Sequence, residues 1–148
     1  MVPGKIRSIG VVADVELFRI YDFTGKLVRD FGLAPNQVQV ALLDPSGNEK
    51  GNLDAPETFG ADSFGLYGKV RNPALEGFLD REFDLLINYS NTDWIFTRVV
   101  LAHSKAKLRA GFDSGSGFPQ DISVKVPPND MDAFHNELVR YLKIMDLA

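Results

Sequence analysis

The chain has 148 residues, no cysteine and a formal net charge of −4. This length suits a single domain, residues 1–148, and the missing cysteines exclude disulfides, thiolate metal sites and cysteine nucleophiles. The acidic balance argues against a nucleic-acid binder. No apolar run reaches the roughly 20 residues that a membrane span needs, and no apolar core near the N-terminus could act as a signal peptide, so we expect a cytoplasmic protein.

The first part of the chain alternates an apolar run with an amphipathic one. Ile6–Ala13 is rich in Ile and Val, which predicts a buried strand. Val15–Phe31 has helical spacing, weakened at Thr24 and Gly25, and Gly32 is a natural helix stop. Val38–Leu43 predicts a second strand.

The middle of the chain is rich in turn signals. Asp44–Asn48 predicts a turn, and a long polar loop carrying Gly51, Pro56 and Gly60 is expected to continue to Asp62. Phe64–Val70 suits a short strand. Pro73 is placed to open a helix over Ala74–Asp80.

The segment Phe83–Phe112 predicts a strand, a helix and a strand. Asp84–Tyr89 is the first strand, Asn91 or Thr92 can cap a helix that runs to Ser104, and Lys107–Phe112 is the second strand.

After the Gly/Ser-rich turn Asp113–Pro119, Ile122–Val126 predicts the last strand. Asn129 or Asp130 can cap a C-terminal helix. Its expected apolar stripe consists of Phe134, Leu138, Tyr141, Leu142 and Met145. The alternation of strands and helices predicts one Rossmann-like α/β domain, with a mostly parallel sheet of five to six strands flanked by helices.

The familiar cofactor motifs are incomplete. The glycines before Lys69 lack the Walker spacing, and Val70 stands where the hydroxyl residue should be. Gly115-Ser116-Gly117 begins like a dinucleotide fingerprint, but Gln120 replaces its last glycine. Both segments are better explained by turns, and the sequence predicts no cofactor.

The two histidines, His103 and His135, belong to no metal motif, and we predict no metal site. His103 lies near the end of the central helix, where the helix dipole favours its cationic form. We expect His135 to be exposed or on the flank of the C-terminal helix.

Polar residues follow two predicted strands. Asp14 comes after the first, and Asn88 and Ser90, with Asp93, come at the end of the strand Asp84–Tyr89. Because ligands of open parallel sheets bind beyond the carboxyl ends of strands, these residues could line one crevice. The alternative is that they cap the helices that follow.

A second group of polar residues is basic. Lys105, Lys107 and Arg109 alternate, so they could share one face and, with Arg98, bind a phosphate. The alternative is ordinary solvated surface charge.

The helix Asp93–Ser104 is apolar nearly all round. Such a helix is buried on more than one side, so either the core wraps it or a second copy of the chain covers it.

The sequence resembles an uncharacterised family of small bacterial proteins that is defined only as a domain of unknown function. The segments that carry this resemblance are Ile9–Val12 with Asp14, Gly68-Lys69, Phe83–Asn88, Leu101–Phe112 and Glu137–Lys143. A more distant resemblance, carried by Asp14 and Ser104–Phe112, is to the N-terminal half of lipopolysaccharide heptosyltransferases of the GT-B architecture. Here Ala13 replaces the expected glycine, and the second, nucleotide-sugar-binding domain is missing.

Two functional hypotheses follow. The first is a non-catalytic Rossmann-like binding or assembly module, acting as a homodimer. The second is a small sugar- or nucleotide-related enzyme or binder, in which Asp14, Asn88 and Ser90 line the crevice and Lys105, Lys107 or Arg109 meets a phosphate.

Overall fold

The computed structural model describes residues 6–18, 21–44, 58–65, 69–90, 94–113, 120–127 and 130–146. Strands and helices alternate along most of these segments. The strands are β1 (Ile9–Asp14), β2 (Val38–Leu43), β3 (Thr58–Phe59), β4 (Leu85–Asn88), β5 (Arg109–Phe112) and β6 (Ile122–Val124). The helices are α1 (Val15–Phe18), α2 (Phe23–Phe31), α3 (Pro73–Asp80), α4 (Ile95–His103) and α5 (Met131–Ile144).

The strands form one six-stranded sheet in the order β3-β2-β1-β4-β5-β6, and every neighbouring pair is parallel. The predicted Rossmann-like parallel sheet is therefore confirmed. The chain builds outward from β1 to β3, then returns to place β4 on the other side of β1. This reversal creates a topological switch point between β1 and β4, where open α/β sheets bind their ligands.

Alternate residues of β1, β2 and β4 enter two different cores, because side chains of a strand point to opposite faces. Val11 of β1 packs with α2 and α5, whereas Val12 packs with α3 and α4. The same alternation places Ile87 of β4 on the first face and Leu86 on the second. Near-continuous apolar strands are typical of a sheet that is covered on both sides.

The prediction of one continuous helix over Val15–Phe31 is wrong, because α1 and α2 are separate helices. Asp22 caps α2, and its Oδ1 accepts a hydrogen bond of 3.0 Å from Gly25 N. An N-cap carboxylate starts a new helix instead of continuing the preceding one. Gly32 ends α2 with φ 65°, as predicted, and its N–H donates to Val28 O.

The strand predicted at Phe64–Val70 is also wrong. Phe64 and Val70 form only an isolated antiparallel bridge with each other. The sheet strand of this region is Thr58–Phe59, inside the predicted loop, where Thr58 pairs with Leu42. Two paired residues are too short to leave a periodic signal in the sequence.

The remaining predicted strands are present. β2 has the predicted bounds, whereas β1, β4, β5 and β6 are shorter than expected. Ladder pairing ends where the partner strand ends, so the flanking apolar residues stay outside the sheet. Pro73 occupies the first turn of α3, as predicted, and Asn72 caps this helix.

Asp130 caps α5, and its Oδ1 accepts a hydrogen bond of 2.9 Å from Ala133 N. Two members of the predicted stripe are wrong, because Tyr141 and Met145 are 50% and 40% exposed. The buried face of α5 instead includes Met131, His135 and Val139, together with the correctly predicted Phe134, Leu138 and Leu142.

Several predicted features lie outside the described residues. They are the turn at 45–48, Gly51, Pro56, Gly68, the caps Asn91, Thr92 and Asn129, the helix start at Asp93, and the segment Gly115-Ser116-Gly117. Within the described segments, no helix has both the length and the apolar character to cross a membrane.

Candidate functional site at the carboxyl edge of the sheet

The carboxyl ends of β1 and β4 meet at the switch point. The register pairs Val12 with Asn88, and Tyr89 N continues this ladder with a hydrogen bond of 2.8 Å to Val12 O. Asp14 and Ser90 therefore lie side by side at the end of the two strands. Ser90 Oγ donates to Asp14 Oδ1 at 2.9 Å, so the structure brings together two of the residues predicted to line a crevice.

Asn88, the third predicted residue, ends β4 and is only 1% exposed. Its Oδ1 accepts a hydrogen bond of 3.0 Å from Ser90 N. Its Nδ2 is buried and has no hydrogen-bond partner in the described part of the chain. Leaving such a donor unsatisfied costs about 1–3 kcal/mol, so an orphaned buried amide calls for a functional explanation.

The ladder between β4 and β5 stops at this point. Leu86 N donates to Leu108 O at 2.8 Å, so even-numbered residues of β4 donate toward β5. By this alternation Ser90 N would donate to Phe112 O, but Ser90 N bonds Asn88 Oδ1 instead. Gln120 Nε2 donates to Phe112 O at 2.9 Å in its place. The Gln120 amide thus takes the position of the next ladder donor at the end of β5.

Gly111 makes room for this inserted amide. Gly111 pairs with Asn88, and a Cβ on Gly111 would collide with the Gln120 amide and would lie 3.5 Å from Asn88 Cβ. Gln120 Nε2 also donates to Ser123 Oγ at 2.8 Å, while its buried Oε1 has no partner in the described part of the chain. Sequence reasoning treated Gln120 only as a mismatch to a motif; the glycine inside an apolar strand was the available signal.

Sequence reasoning also missed Asp44. It follows β2 directly and is 1% exposed, and its N–H donates to Phe59 O at 3.0 Å. Because Asp14 is paired with Leu43, Asp44 lies at the same edge of the sheet as Asp14. Two carboxyl side chains therefore stand at the carboxyl ends of adjacent strands.

The predicted basic residues lie at the opposite edge of the sheet. Lys105 pairs with Asp80 at 3.3 Å, and Lys107 pairs at 3.3 Å with Asp84, which precedes β4. Arg109, the first residue of β5, donates to two carbonyls near the end of α4, Leu101 O at 2.9 Å and Ser104 O at 2.5 Å. With a strand rise of about 3.3 Å per residue, the length of β4 separates these cations from Asn88 by roughly 10 Å.

A buried polar chain lies behind the site, on the α2 and α5 face. His135 is 3% exposed, its Nε2 lies 2.6 Å from Asp30 Oδ2, and its Nδ1 lies 3.4 Å from Tyr89 Oη. The hydrogen bond from His135 lowers the pKa of Asp30, and burial raises the pKa of Tyr89. The prediction that His135 is exposed or on a helix flank is wrong, because Asp30 and Tyr89 supply distant buried partners.

The central helix α4 is not covered all round. Thr97, Val100 and Leu101 are buried, whereas Ile95 is 66% exposed and Ala102 is exposed. The core therefore wraps one side of this helix only. His103 lies at its end, exposed, with Nδ1 2.8 Å from Val99 O.

A separate groove of about 460 Å³ lies between β2, β3 and α3. Its walls include Val38, Val40, Phe59 and Phe78, and no charged residue lines it among those that the structure describes. No group of three or more metal-ligating side chains occurs within the described residues.

A parallel sheet with this strand order and polar side chains at its switch point defines a Rossmann-like α/β protein. The chain belongs to a family of unknown function, DUF6913, whose sequence model matches residues 2–145. No curated protein and no solved structure matches the chain. The predicted membership of an uncharacterised domain family is confirmed, and the resemblance to heptosyltransferases is not.

Proposed function

We propose that this protein is a non-catalytic binding module that holds a small, neutral, polar ligand such as a sugar at the carboxyl edge between β1 and β4. The observation that carries the proposal is the hydrogen bond from Ser90 to Asp14, which joins the two strands at the switch point. Asn88, buried beside it with an unsatisfied donor, adds a second group that a ligand could satisfy. Ligands of open α/β sheets bind at this position.

The charges favour a neutral ligand over a phosphorylated one. Asp14 ends β1 and Asp44 follows the adjacent β2 at this edge, and carboxylates repel a phosphate. The predicted phosphate-binding cations Lys105 and Lys107 lie at the other edge and already pair with carboxylates. A phosphate bound there would have to displace Asp80 or Asp84.

The position of the histidines supports a binding role without catalysis. His135 is held by Asp30 and Tyr89 on the other face of the sheet, and His103 lies at the far end of α4. Neither histidine is therefore placed to serve Asp14 or Ser90 as a general base.

A thermal-shift panel tests this function. The panel contains ribose, glucose, a nucleotide sugar, AMP and inorganic phosphate, each at millimolar concentration. A ligand present at 100 times its Kd stabilises the folded state by about 2.7 kcal/mol, which raises the Tm by roughly 5–10 °C. We expect a shift with a neutral sugar and none with inorganic phosphate.

Two variants locate the site. Asp14→Asn removes the charge that accepts from Ser90, so we expect it to reduce the shift strongly. Asp80→Asn makes the same chemical change at the amino edge and should leave the shift intact. If no compound in the panel shifts the Tm, the proposed function is wrong.

Assembly is a second candidate function, favoured by the exposed Ile95 on α4. An apolar side chain that is 66% exposed beside the aromatic pair Trp94 and Phe96 suits contact with a second copy. We expect Ile95→Lys to convert a dimer to a monomer in light scattering. Ile144→Lys, at a residue 70% exposed on α5, is the matched control. A wild-type protein that is monomeric at all concentrations would contradict this candidate.

A further inference from the structure

Two side chains that flank Gly111, Asn88 and Gln120, each carry a buried polar atom without a hydrogen-bond partner in the described part of the chain. One is a donor, Asn88 Nδ2, and the other is an acceptor, Gln120 Oε1. Gly111 brings them together, because its missing Cβ would touch both side chains, lying 3.1 Å from Gln120 Cδ and 3.5 Å from Asn88 Cβ. A third orphaned atom, Thr97 Oγ1, belongs to α4, the helix that packs on this face.

The two amide groups cannot be satisfied by exchanging their oxygen and nitrogen atoms. Turning the Gln120 amide over would place its oxygen against Phe112 O, which can only accept. Turning the Asn88 amide over would place its NH₂ group against Ser90 N–H. The neighbouring backbone thus fixes both orientations, and the unsatisfied donor and acceptor are the ones named.

A hydroxyl group has the chemistry to satisfy both atoms, because it can accept from an NH₂ group such as that of Asn88 and donate to an oxygen such as Oε1 of Gln120. The NH₂ group of Asn88 would repel a cation, and the oxygen of Gln120 would repel an anion. The chemistry of the pair therefore selects a neutral group that both donates and accepts.

We propose that Asn88 and Gln120 form a subsite for one hydroxyl of a neutral polyol, such as a monosaccharide. This inference rests on the proposed function and names its ligand class. Asn88 and Ser90 are two residues apart, about 6.5 Å along an extended chain, which a single sugar ring can span. A second hydroxyl of the same ligand would then donate to Asp14, the acceptor of the Ser90 bond.

Nuclear magnetic resonance of the Asn88 side-chain amide tests the subsite directly. The probes are ribose, glucose and myo-inositol, and the Asn88→Asp variant assigns the amide signal by its loss. We expect the sugar that binds to shift this signal, and Asn88→Asp to weaken that sugar about tenfold. The variant keeps an oxygen for Ser90 N, replaces the donor NH₂ group by a second oxygen and adds a negative charge.

Asn72→Asp is the matched control. The Oδ1 of Asn72 accepts from backbone N–H groups of α3, as the Oδ1 of Asn88 accepts from Ser90 N. This variant therefore makes the same chemical change away from the site and should leave the affinity for the sugar unchanged.

Three outcomes would overturn the subsite. If a sugar binds and Asp14→Asn weakens it while Asn88→Asp does not, the subsite is wrong and the proposed function stands. If the Asn88 amide shows a persistent cross-peak to water that no sugar alters, the hydroxyl is that of a bound water only. If no sugar binds, the proposed function fails and the subsite fails with it.

Discussion

Asp30→Asn tests whether the buried chain of Asp30, His135 and Tyr89 stabilises the fold. A neutral His135 can donate from Nε2 to Asp30 and accept at Nδ1 from Tyr89, so the chain needs no extra proton. The substitution replaces a charge-assisted hydrogen bond by a neutral one next to a nearly fully buried ring. We expect the free energy of unfolding near pH 7 to fall by about 1–2 kcal/mol, with partial exposure of Asp30 limiting the loss.

The pH dependence gives this prediction its sign. The hydrogen bond from His135 lowers the pKa of Asp30 in the folded state. The ionised Asp30 therefore stabilises the fold fully above its unfolded-state pKa of about 3.9. This stabilisation is lost as pH falls through the lower folded-state pKa of Asp30. The difference between wild type and Asp30→Asn should shrink toward zero as acid protonates Asp30.

Urea unfolding at several pH values between about 7 and 3 measures this difference. Asp113→Asn, at an exposed aspartate that follows β5, controls for the general effect of removing one negative charge. A loss of stability that is equal at neutral and acid pH, or a loss matched by Asp113→Asn, would show that the charge of Asp30 does not stabilise the fold through His135.

Three further predictions concern the backbone and the site. Gly111→Ala should lower the free energy of unfolding by about 1–3 kcal/mol in urea titrations, because the new Cβ meets the Gln120 amide. Gly77→Ala should raise this free energy by about 0.5–1 kcal/mol, because its new Cβ meets nothing within 4 Å and alanine favours a helix. Equal effects of the two substitutions would contradict the packing argument. Gly32→Ala should cost about 1–2 kcal/mol in the same assay because φ is 65°, and a neutral result would contradict the left-handed cap. Arg109→Lys should lower the Tm by roughly 2–4 °C through loss of the paired bonds to the end of α4, and an unchanged Tm would show that those bonds contribute nothing.

Periodicity was sufficient to predict the elements that carry long apolar patterns. The strand Val38–Leu43, the helix opened by Pro73 and the C-terminal helix capped by Asp130 are present as expected. The two-residue strand Thr58–Phe59 could not be predicted, because its pairing with the end of β2 is tertiary. The break between α1 and α2 was signalled by Asp22, whose capping bond competes with helix continuation.

The position of the site was predictable, and its chemistry was not. Asp14, Asn88 and Ser90 lie at or just beyond the carboxyl ends of strands, and a parallel sheet brings such residues to one edge. Local sequence patterns could not predict the roles of Gln120 and His135. The Gln120 side chain is inserted at the end of β5, and His135 contacts Asp30, which is distant in sequence. The alternation of Lys105, Lys107 and Arg109 indicates that these residues share a face of the sheet. It does not indicate which edge of the sheet they occupy.

Chemical-shift mapping with a neutral sugar tests whether a ligand binds at the switch point between β1 and β4. We predict that the signals of the Ser90 backbone amide and of the Asn88 and Gln120 side-chain amides shift with one common affinity, while the signal of the Lys107 amide at the amino edge does not shift. Shifts centred on Lys107, or no shift at the carboxyl edge with any sugar in the panel, would contradict a ligand site at the switch point.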